Sequence, residues 1–469
     1  MANTNEYTFK YFGTDGFRGE ANVTLTSIHA YKVGRFLGWY FTSHLYEGKK
    51  PNKAKIVIGK DTRLSSYMLE YSIAAGITAS GADAYMLHVT TTPSVSYITR
   101  QDGFDCGIML TASHNPYTDN GIKVINRHGE KLDDKTTEYI EKYLDGELSA
   151  LGIKTEDIPT AKGNMIGRIV DHVSGRNRYL GYLISLASNS YKNLRIGLDC
   201  ANGASWSLAR SVFSALGAQL YTTGDRPDGL NVNRDCGSTH IENLCRIVRE
   251  KHLDLGFAFD GDADRCIAVD ENGIEVDGDK IMYILAKRLK QKGMLNGNTV
   301  VSTIMSNSGF TASLSKIGIN SVQTSVGDRY VYESMQKNGF SLGGEQSGHI
   351  IIKKYATTGD GILTALMVCE EVCDTKSRLS ELAAPVYLYP QYTRNVKVRD
   401  GDAVLKSENV QNAINNISAL IGNKGRILLR KSGTEPVIRI MVECGSIESC
   451  RSYANSVAGA IRKEGLALE

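Results

Sequence analysis

The segment LTASHNPYTDNG, residues 110–121, follows the apolar run FDCGIML and sets Ser113 beside His114 among residues that build turns. Asn115, Pro116, Asp119, Asn120 and Gly121 each fix φ or bond their own backbone, but a turn has no use for a hydroxyl next to an imidazole. A serine becomes a group-transfer residue only when a neighbour activates it, and an isolated Ser-His pair is far more often a well-made loop. A second loop changes that balance. In FAFDGDADRCIAVD, residues 257–270, Asp260, Asp262 and Asp264 stand two apart. In an extended segment their carboxylates project from one face, where they repel unless a divalent cation joins them. An EF-hand is partly matched by these three and Glu271, but Arg265 stands where that loop requires glycine, and the flanks read as strands. A strand followed by Asp-x-Asp also opens an aspartate-nucleophile phosphatase. That reading stays open with Asp260 as nucleophile, although Asp264 replaces the Thr or Val of that pattern.

Two further loops carry polar groups between strand-like flanks. SLGGEQSGHIII, residues 341–352, offers Glu345, Ser347 and His349 at alternate positions, with Gly344 and Gly348 permitting close backbone approach. A carboxylate, a hydroxyl and an imidazole so spaced suit the vicinal hydroxyls of a sugar. RILLRKSGTEPVIRIMVE, residues 426–443, joins two strands through KSGTE. Arg430, Ser432, Gly433 and Thr434 there would cradle a phosphate with a guanidinium, two hydroxyls and backbone N–H groups; Arg439 either joins them or lines the hairpin. No G-x-x-x-x-G-K-[ST] run occurs, which excludes a nucleotide-binding loop of that kind.

These loops need scaffolds. Three segments, from Lys55, Arg195 and Thr299, repeat one pattern of β-branched strand, polar loop, amphipathic helix and second strand, the signature of βαβ units on a largely parallel sheet. The last hundred residues alternate strands with two helical patterns. The expected architecture is therefore α/β: three tandem related α/β domains, 1–157, 158–256 and 257–372, and a smaller α+β domain, 373–469, around a central cleft. Composition narrows the partners. Lys plus Arg is 54 against Asp plus Glu 51, a net charge of +3 without charged runs, which argues against nucleic acid or an anionic membrane. Nine scattered cysteines without a C-x-x-C pair read as reduced thiols, and no signal-like or membrane-length apolar run is present, so the expected location is the cytoplasm.

The order TASHNP, DGDADR, GEQSGH and RKSGTEP, preceded by GTDGFRG at 13–19, resembles the α-D-phosphohexomutase superfamily over essentially the whole chain. Within it, the glutamine of GEQSGH, the VGDRYV run at 326–331 and the ending SGTEPVIRIMVE are most similar to the branch acting on glucosamine phosphates; a branch acting on mannose or glucose phosphates is the alternative. The resemblance implies an isomerase in which Ser113 carries a phosphate, one Mg²⁺ is held by Ser113, Asp260, Asp262 and Asp264, and Arg18 and Arg265 bind the phosphoserine. It implies a sugar 1,6-bisphosphate intermediate and activator, with Asp328 and Arg329 joining Glu345, Ser347 and His349 around the sugar. His114, with an ordinary pKa near 6.5, and Lys123, which must lose about three pKa units to act as a base at pH 7, are the two acid/base candidates. A small-molecule sugar phosphate is the expected partner, and a monomer or homodimer the expected state.

Overall fold

The computed structural model describes residues 7–43, 53–422, 424–431 and 437–468. The first sheet has seven strands in the order Phe12–Gly13, Gly16–Glu20, Asp119–Asn126, Cys106–Leu110, Lys55–Lys60, Asp83–Val89 and Ile169–Asp171. Lys55–Lys60 lies between parallel neighbours on both sides, whereas Asp119–Asn126 returns antiparallel to Cys106–Leu110. That return turns the chain sharply at residues 111–118, so the TASHNP loop sits at the carboxyl end of a central strand. Alternation along the central strand feeds two cores. Ile56 and Ile58 pack on helices Ser27–Tyr40 and Leu64–Ala79, and Val57 packs under Thr92–Gln101.

Helices Ser27–Tyr40 and Leu64–Ala79 touch backbone to backbone. A Cβ on Gly34 would lie 2.2 Å from the Ile73 oxygen, and one on Gly76 would lie 2.1 Å from the Tyr31 oxygen. Only hydrogen fits at either position. This contact sets the placement of Leu64–Ala79, whose N-cap is Arg63.

The second sheet orders Glu275–Val276, Cys266–Asp270, Leu255–Phe259, Arg195–Asp199 and Gln219–Thr223. This corrects the expected boundary before residue 257. Leu255–Phe259 pairs in parallel with Arg195–Asp199 and antiparallel with Cys266–Asp270, so the aspartate loop is the hairpin turn of the second sheet and not the start of the third. A short acidic loop between two apolar strands reads equally well as a domain start, because only the pairing partner distinguishes the two. The third sheet orders Asn320–Thr324, Thr299–Thr303, Leu342–Gly344 and Ile350–Ile352.

Residues 305–321 and 384–469 form a separate compact unit. Its three strands, Gln391–Lys397, Val437–Glu443 and Arg426–Lys431, are antiparallel and pack their apolar face on helices Glu408–Ile421 and Ile447–Lys463. The helix Ser308–Lys316, read from sequence as the crossover of the third βαβ unit, belongs to this second unit. Glu443 explains why: buried, it accepts from the Ser308 backbone N–H at 3.1 Å and hydroxyl at 2.7 Å, and pairs with Arg426 at 3.0 Å. A carboxylate at a helix N-terminus satisfies orphan donors and the helix dipole together.

Gly76→Ala is expected to lower unfolding stability by about 1–3 kcal/mol, the range for overpacking a close contact, read from denaturant midpoints. An unchanged midpoint would mean that the helix pair is not held at this contact.

Candidate active site

Ser113 is buried and adopts a left-handed φ of 54°. A non-glycine residue keeps such a backbone only where its surroundings impose it. Here the imposing group is Arg63. Its guanidinium, itself fully buried, donates to the backbone oxygens of Ser113 and Asn115 at 2.9 Å each, of Asp119 at 3.0 Å, and of Pro116. The remaining Nε–H goes to Asp61 at 2.7 Å, and Asp61 also accepts from Thr111 and Ser66 at 2.8 Å each. One planar fork thus satisfies four loop carbonyls, which a lysine cannot do. From the second sheet's connection, Asn233 adds Nδ2 bonds to the Ser113 and Asn115 oxygens at 2.8 and 3.1 Å.

The aspartate loop packs directly against this turn. A Cβ on Gly261 would lie 2.5 Å from the Ser113 oxygen, so glycine is required for the two loops to meet. The Ser113 hydroxyl then donates to Asp260 Oδ2 at 2.5 Å. The loop is a turn and not the extended segment expected from the spacing, with Ala263 at φ 55°. The carboxylates converge all the same: one oxygen from each of Asp260, Asp262 and Asp264 lies within 4.8 Å of the others.

Lys123 enters from strand Asp119–Asn126 and contacts Asp262 at 2.9 Å, Asp264 at 3.1 Å and Asp15 at 3.2 Å. Burial alone would lower its pKa, but Asp15, Asp262 and Asp264 hold it well above the usual lysine value. Instead of the depressed pKa a base would need, the surrounding protein keeps an ammonium here. His114 Nδ1 is 3.4 Å from the Ser113 hydroxyl, and burial together with the Arg265 and Arg18 charges pushes it down to about 4, so the ring is neutral near pH 7. Burial, reinforced by Asp264 and Asp262, pushes the Asp260 carboxyl well above the ordinary range.

Arg18 projects from strand Gly16–Glu20 onto Asp15, with Asn115 Oδ1 at 3.4 Å. Among the described residues the Nε atoms of Arg18 and Arg265, Oδ1 of Asp262 and of Asp264, and the Ser347 hydroxyl are buried without a hydrogen-bond partner. Carboxylate oxygens without a hydrogen bond on two of the three converging aspartates fit a hard divalent cation, and two guanidinium donors fit a phosphate.

The GEQSGH loop turns between strands Leu342–Gly344 and Ile350–Ile352 and lies on the exit of the aspartate loop through an Arg265–His349 bridge. Glu345 accepts from Gly327 N–H at 3.1 Å, and burial raises its pKa. His349 Nδ1 is 3.6 Å from Asp264, and Nε2 is 3.5 Å from Asp328. Burial disfavours a charge on His349, but Asp264, Asp328 and Glu345 outweigh it and raise its pKa to about 9; the Gly359 N–H lies 3.0 Å from Nε2. Asp328 joins this group, whereas Arg329 does not. The Arg329 guanidinium is engaged by Asp134 at 2.6 and 2.7 Å and by Glu333 at 2.7 Å, a surface arrangement that turns it away from the expected sugar role.

In the second unit, Arg430 stands directly across the strand pair from Arg439. Burial and the Arg439 charge both lower its pKa, which is the electrostatics of an anion site. Ser432, Gly433 and Thr434 lie outside the described residues. Asp15, Thr92 and Asn233 escaped the sequence reading. Thr92 donates its hydroxyl to Asp262, and nothing local marks either it or Asn233; Asp15, three before Arg18 in GTDGFRG, was visible but not separable from turn residues.

Four models of phosphoglucomutase/phosphomannomutase domains match in order: domain I over residues 10–150, II over 177–273, III over 277–389, and the C-terminal domain over 394–460. The chain belongs to the phosphoglucomutase/phosphomannomutase family. The domain II match includes the aspartate loop, in agreement with the sheet pairing. A relative named phosphoglucosamine mutase, from Lachnospira eligens, is 56% identical, with 98% of this chain and 100% of that protein covered. A phosphoglucomutase/phosphomannomutase family protein from Burkholderia thailandensis has a similar fold, with a TM-score of 0.79 at 20% identity over 98% of each chain. Aspergillus fumigatus N-acetylphosphoglucosamine mutase, solved with GlcNAc-6P and magnesium, gives a TM-score of 0.64 at 18% identity over 98% of this chain and 96% of that one.

Arg63→Lys is expected to cost about 3–5 kcal/mol of stability, the range for breaking a buried pair, and to reduce turnover at least tenfold in the protein that remains folded. A thermal-unfolding curve and turnover both unchanged would show that the serine turn does not depend on the fork. Gly261→Ala is expected to separate the two loops and to reduce turnover by roughly a hundredfold, the scale of a displacement of about 1 Å at the reacting atoms. Activity within a factor of about three would mean that the loops tolerate separation.

Proposed function

We propose that this chain is a phosphosugar mutase interconverting glucosamine 6-phosphate and glucosamine 1-phosphate, with Ser113 carrying the transferable phosphate. The observation that carries the proposal is the Ser113 hydroxyl on Asp260 at 2.5 Å, at the edge of three converging carboxylates and on a strained turn that Arg63 clamps. The high identity to a phosphoglucosamine mutase over the full length supports the amino sugar as substrate.

Asp260, Asp262 and Asp264, with an oxygen of phosphorylated Ser113, are the residues that would hold one Mg²⁺, and the ion when bound neutralises charge on the transferring phosphoryl group. Arg18 and Arg265 bind the phosphoserine oxygens. In the first half-reaction the bond from phosphorus to Ser113 Oγ breaks and a bond to the free sugar hydroxyl forms, giving a 1,6-bisphosphate. After the intermediate turns end for end, Ser113 takes the other phosphate. Each step leaves one oxygen needing a proton and releases one from the attacking hydroxyl. Lys123, kept as an ammonium, donates to the leaving oxygen and is reloaded from the attacking hydroxyl, while neutral His114 orients the serine. Glu345, Ser347, His349 and Asp328 hold the ring hydroxyls; in the second unit, Arg430, Ser432, Gly433 and Thr434, with Arg439 opposite Arg430, are the residues suited to a phosphate. We assign the enzyme to the cytoplasm; among the described residues no helix is long and apolar enough to cross a membrane.

Peptide mapping before and after incubation with glucose 1,6-bisphosphate tests the assignment. One phosphate is expected on the Ser113 peptide, and Ser113→Ala is expected to lose both the phosphate and about 10³-fold or more in turnover. Phosphate on Asp260, or activity in Ser113→Ala, would overturn the mutase reading in favour of a phosphatase. Mg²⁺ at about 100 times its Kd is expected to stabilise the protein by about 2.7 kcal/mol in thermal unfolding, an effect absent in Asp262→Asn. An equal response in both proteins would remove the metal from these aspartates.

A further inference from the structure

Lys131 lies in none of the loops that marked the site. Its Nζ is nevertheless 3.1 Å from Asp15 Oδ1, 2.7 Å from Asp328 Oδ1 and 2.9 Å from the Thr14 oxygen. Asp15 and Asp328 each face a further site residue: Asp15 is 3.2 Å from Lys123, and Asp328 is 3.5 Å from His349. His349 faces Asp264 at 3.6 Å, and Asp264 returns to Lys123 at 3.1 Å. Lys123, Asp15, Lys131, Asp328, His349 and Asp264 therefore close a ring in which carboxylates alternate with nitrogen groups.

We infer that Lys131 is a positioning residue for the mutase reaction, tying the hairpin that carries Asp15 and Arg18 to the N-terminus of helix Asp328–Asn338. The inference rests on the function proposed above. Without the ammonium, Asp15 keeps Arg18 and Lys123 as counter-charges, whereas Asp328 keeps the Arg329 backbone N–H at 2.9 Å and the His349 ring at 3.5 Å. The Asp328 side then loses its nearest cationic partner among the described ion pairs, at 2.7 Å, and the sugar-facing carboxylate drifts from His349. The same helix also docks through Arg329 to Asp134 and through Tyr332 and Gln336 to Glu130. Those pairs flank Lys131 but touch nothing in the site. The Arg329–Asp134 pair is exposed, and exposed ion pairs contribute little to stability. Lys131 differs from them because both of its carboxylate partners contact residues assigned to the chemistry.

The test compares steady-state kinetics of phosphorylated wild type, Lys131→Met, Lys131→Arg, Asp134→Asn, Asp328→Asn and the double variant Lys131→Met/Asp328→Asn, with circular dichroism and melting temperature as checks of folding. In Lys131→Met a KM rise of about tenfold is expected, with a smaller fall in kcat, because the sugar-facing carboxylate is misplaced; a loss of folded enzyme alone lowers kcat and leaves KM unchanged. Lys131→Arg, whose fork can bridge both carboxylates, is expected within about threefold of wild type, and Asp134→Asn within about twofold. Because Lys131 acts through Asp328, the double variant is expected within about threefold of Asp328→Asn. An unchanged KM in Lys131→Met, fully additive losses in the double variant, or an equal loss in Asp134→Asn would overturn the inference. If Lys131→Met does not fold, Lys131→Gln is read by the same criteria. A wild type without mutase activity would refute the proposed function instead, and the two failures are thereby distinguished.

Discussion

Repulsion among buried carboxylates is the constraint on which the site depends. Oxygens of Asp260, Asp262 and Asp264 lie within 4.8 Å of one another, and each charged pair at such a distance costs on the order of 3–4 kcal/mol at an effective dielectric of about 20. Asp15, Asp328 and Glu345 add to the same neighbourhood. The protein answers partly with fixed cations, Lys123 and Lys131 at contact distance and Arg265 close enough to be felt by Asp260, Asp264 and Glu345. It leaves Oδ1 of Asp262 and Asp264 without hydrogen bonds, a remainder of negative potential that suits a divalent cation.

Such a concentration of charge demands a stiff frame, because any loop free to move would separate the carboxylates. Rigidity comes from backbone contacts that tolerate no side chain and from one saturated guanidinium. Gly261 lets the aspartate loop meet the Ser113 carbonyl, and Gly348 lets the GEQSGH loop meet Cys266, where a Cβ would lie 2.3 Å from the backbone oxygen. Arg63, anchored by Asp61 and placed by the close glycine packing of its helix, holds the serine turn from behind. The local strain at Ser113 is thus maintained by Arg63 and Asn233 bonding to the backbone of its turn.

Much of this was legible in one dimension. The serine, the three aspartates, the glutamate and histidine of the third loop and Arg430 are polar groups set in short turns between apolar strands, a pattern that packing alone does not require. Thr92, Asn233 and Lys131 were not legible, because each acts through a residue distant in sequence: Thr92 and Asp262 are 170 positions apart, and Lys131 and Asp328 are 197. Arg329 went the other way. Its motif position suggested the sugar, and the fold pairs it with Asp134.

The amino-acid sequence by itself determined the elements and the chemistry available, since strand alternation, helix periodicity and turn residues are local properties and the reactive loops are short runs. Only the tertiary structure decided ownership and charge state. The aspartate loop belongs to the second sheet because Leu255–Phe259 finds its parallel partner 59 residues earlier, at Ile196 to Asp199. Lys123 is held as an ammonium by the carboxylates around it, and His114 as a neutral ring by burial and by the arginines beside it. Both outcomes depend on distances between segments far apart in the chain, and electrostatic energy depends on those distances and on burial, neither of which the spacing of residues along a sequence contains.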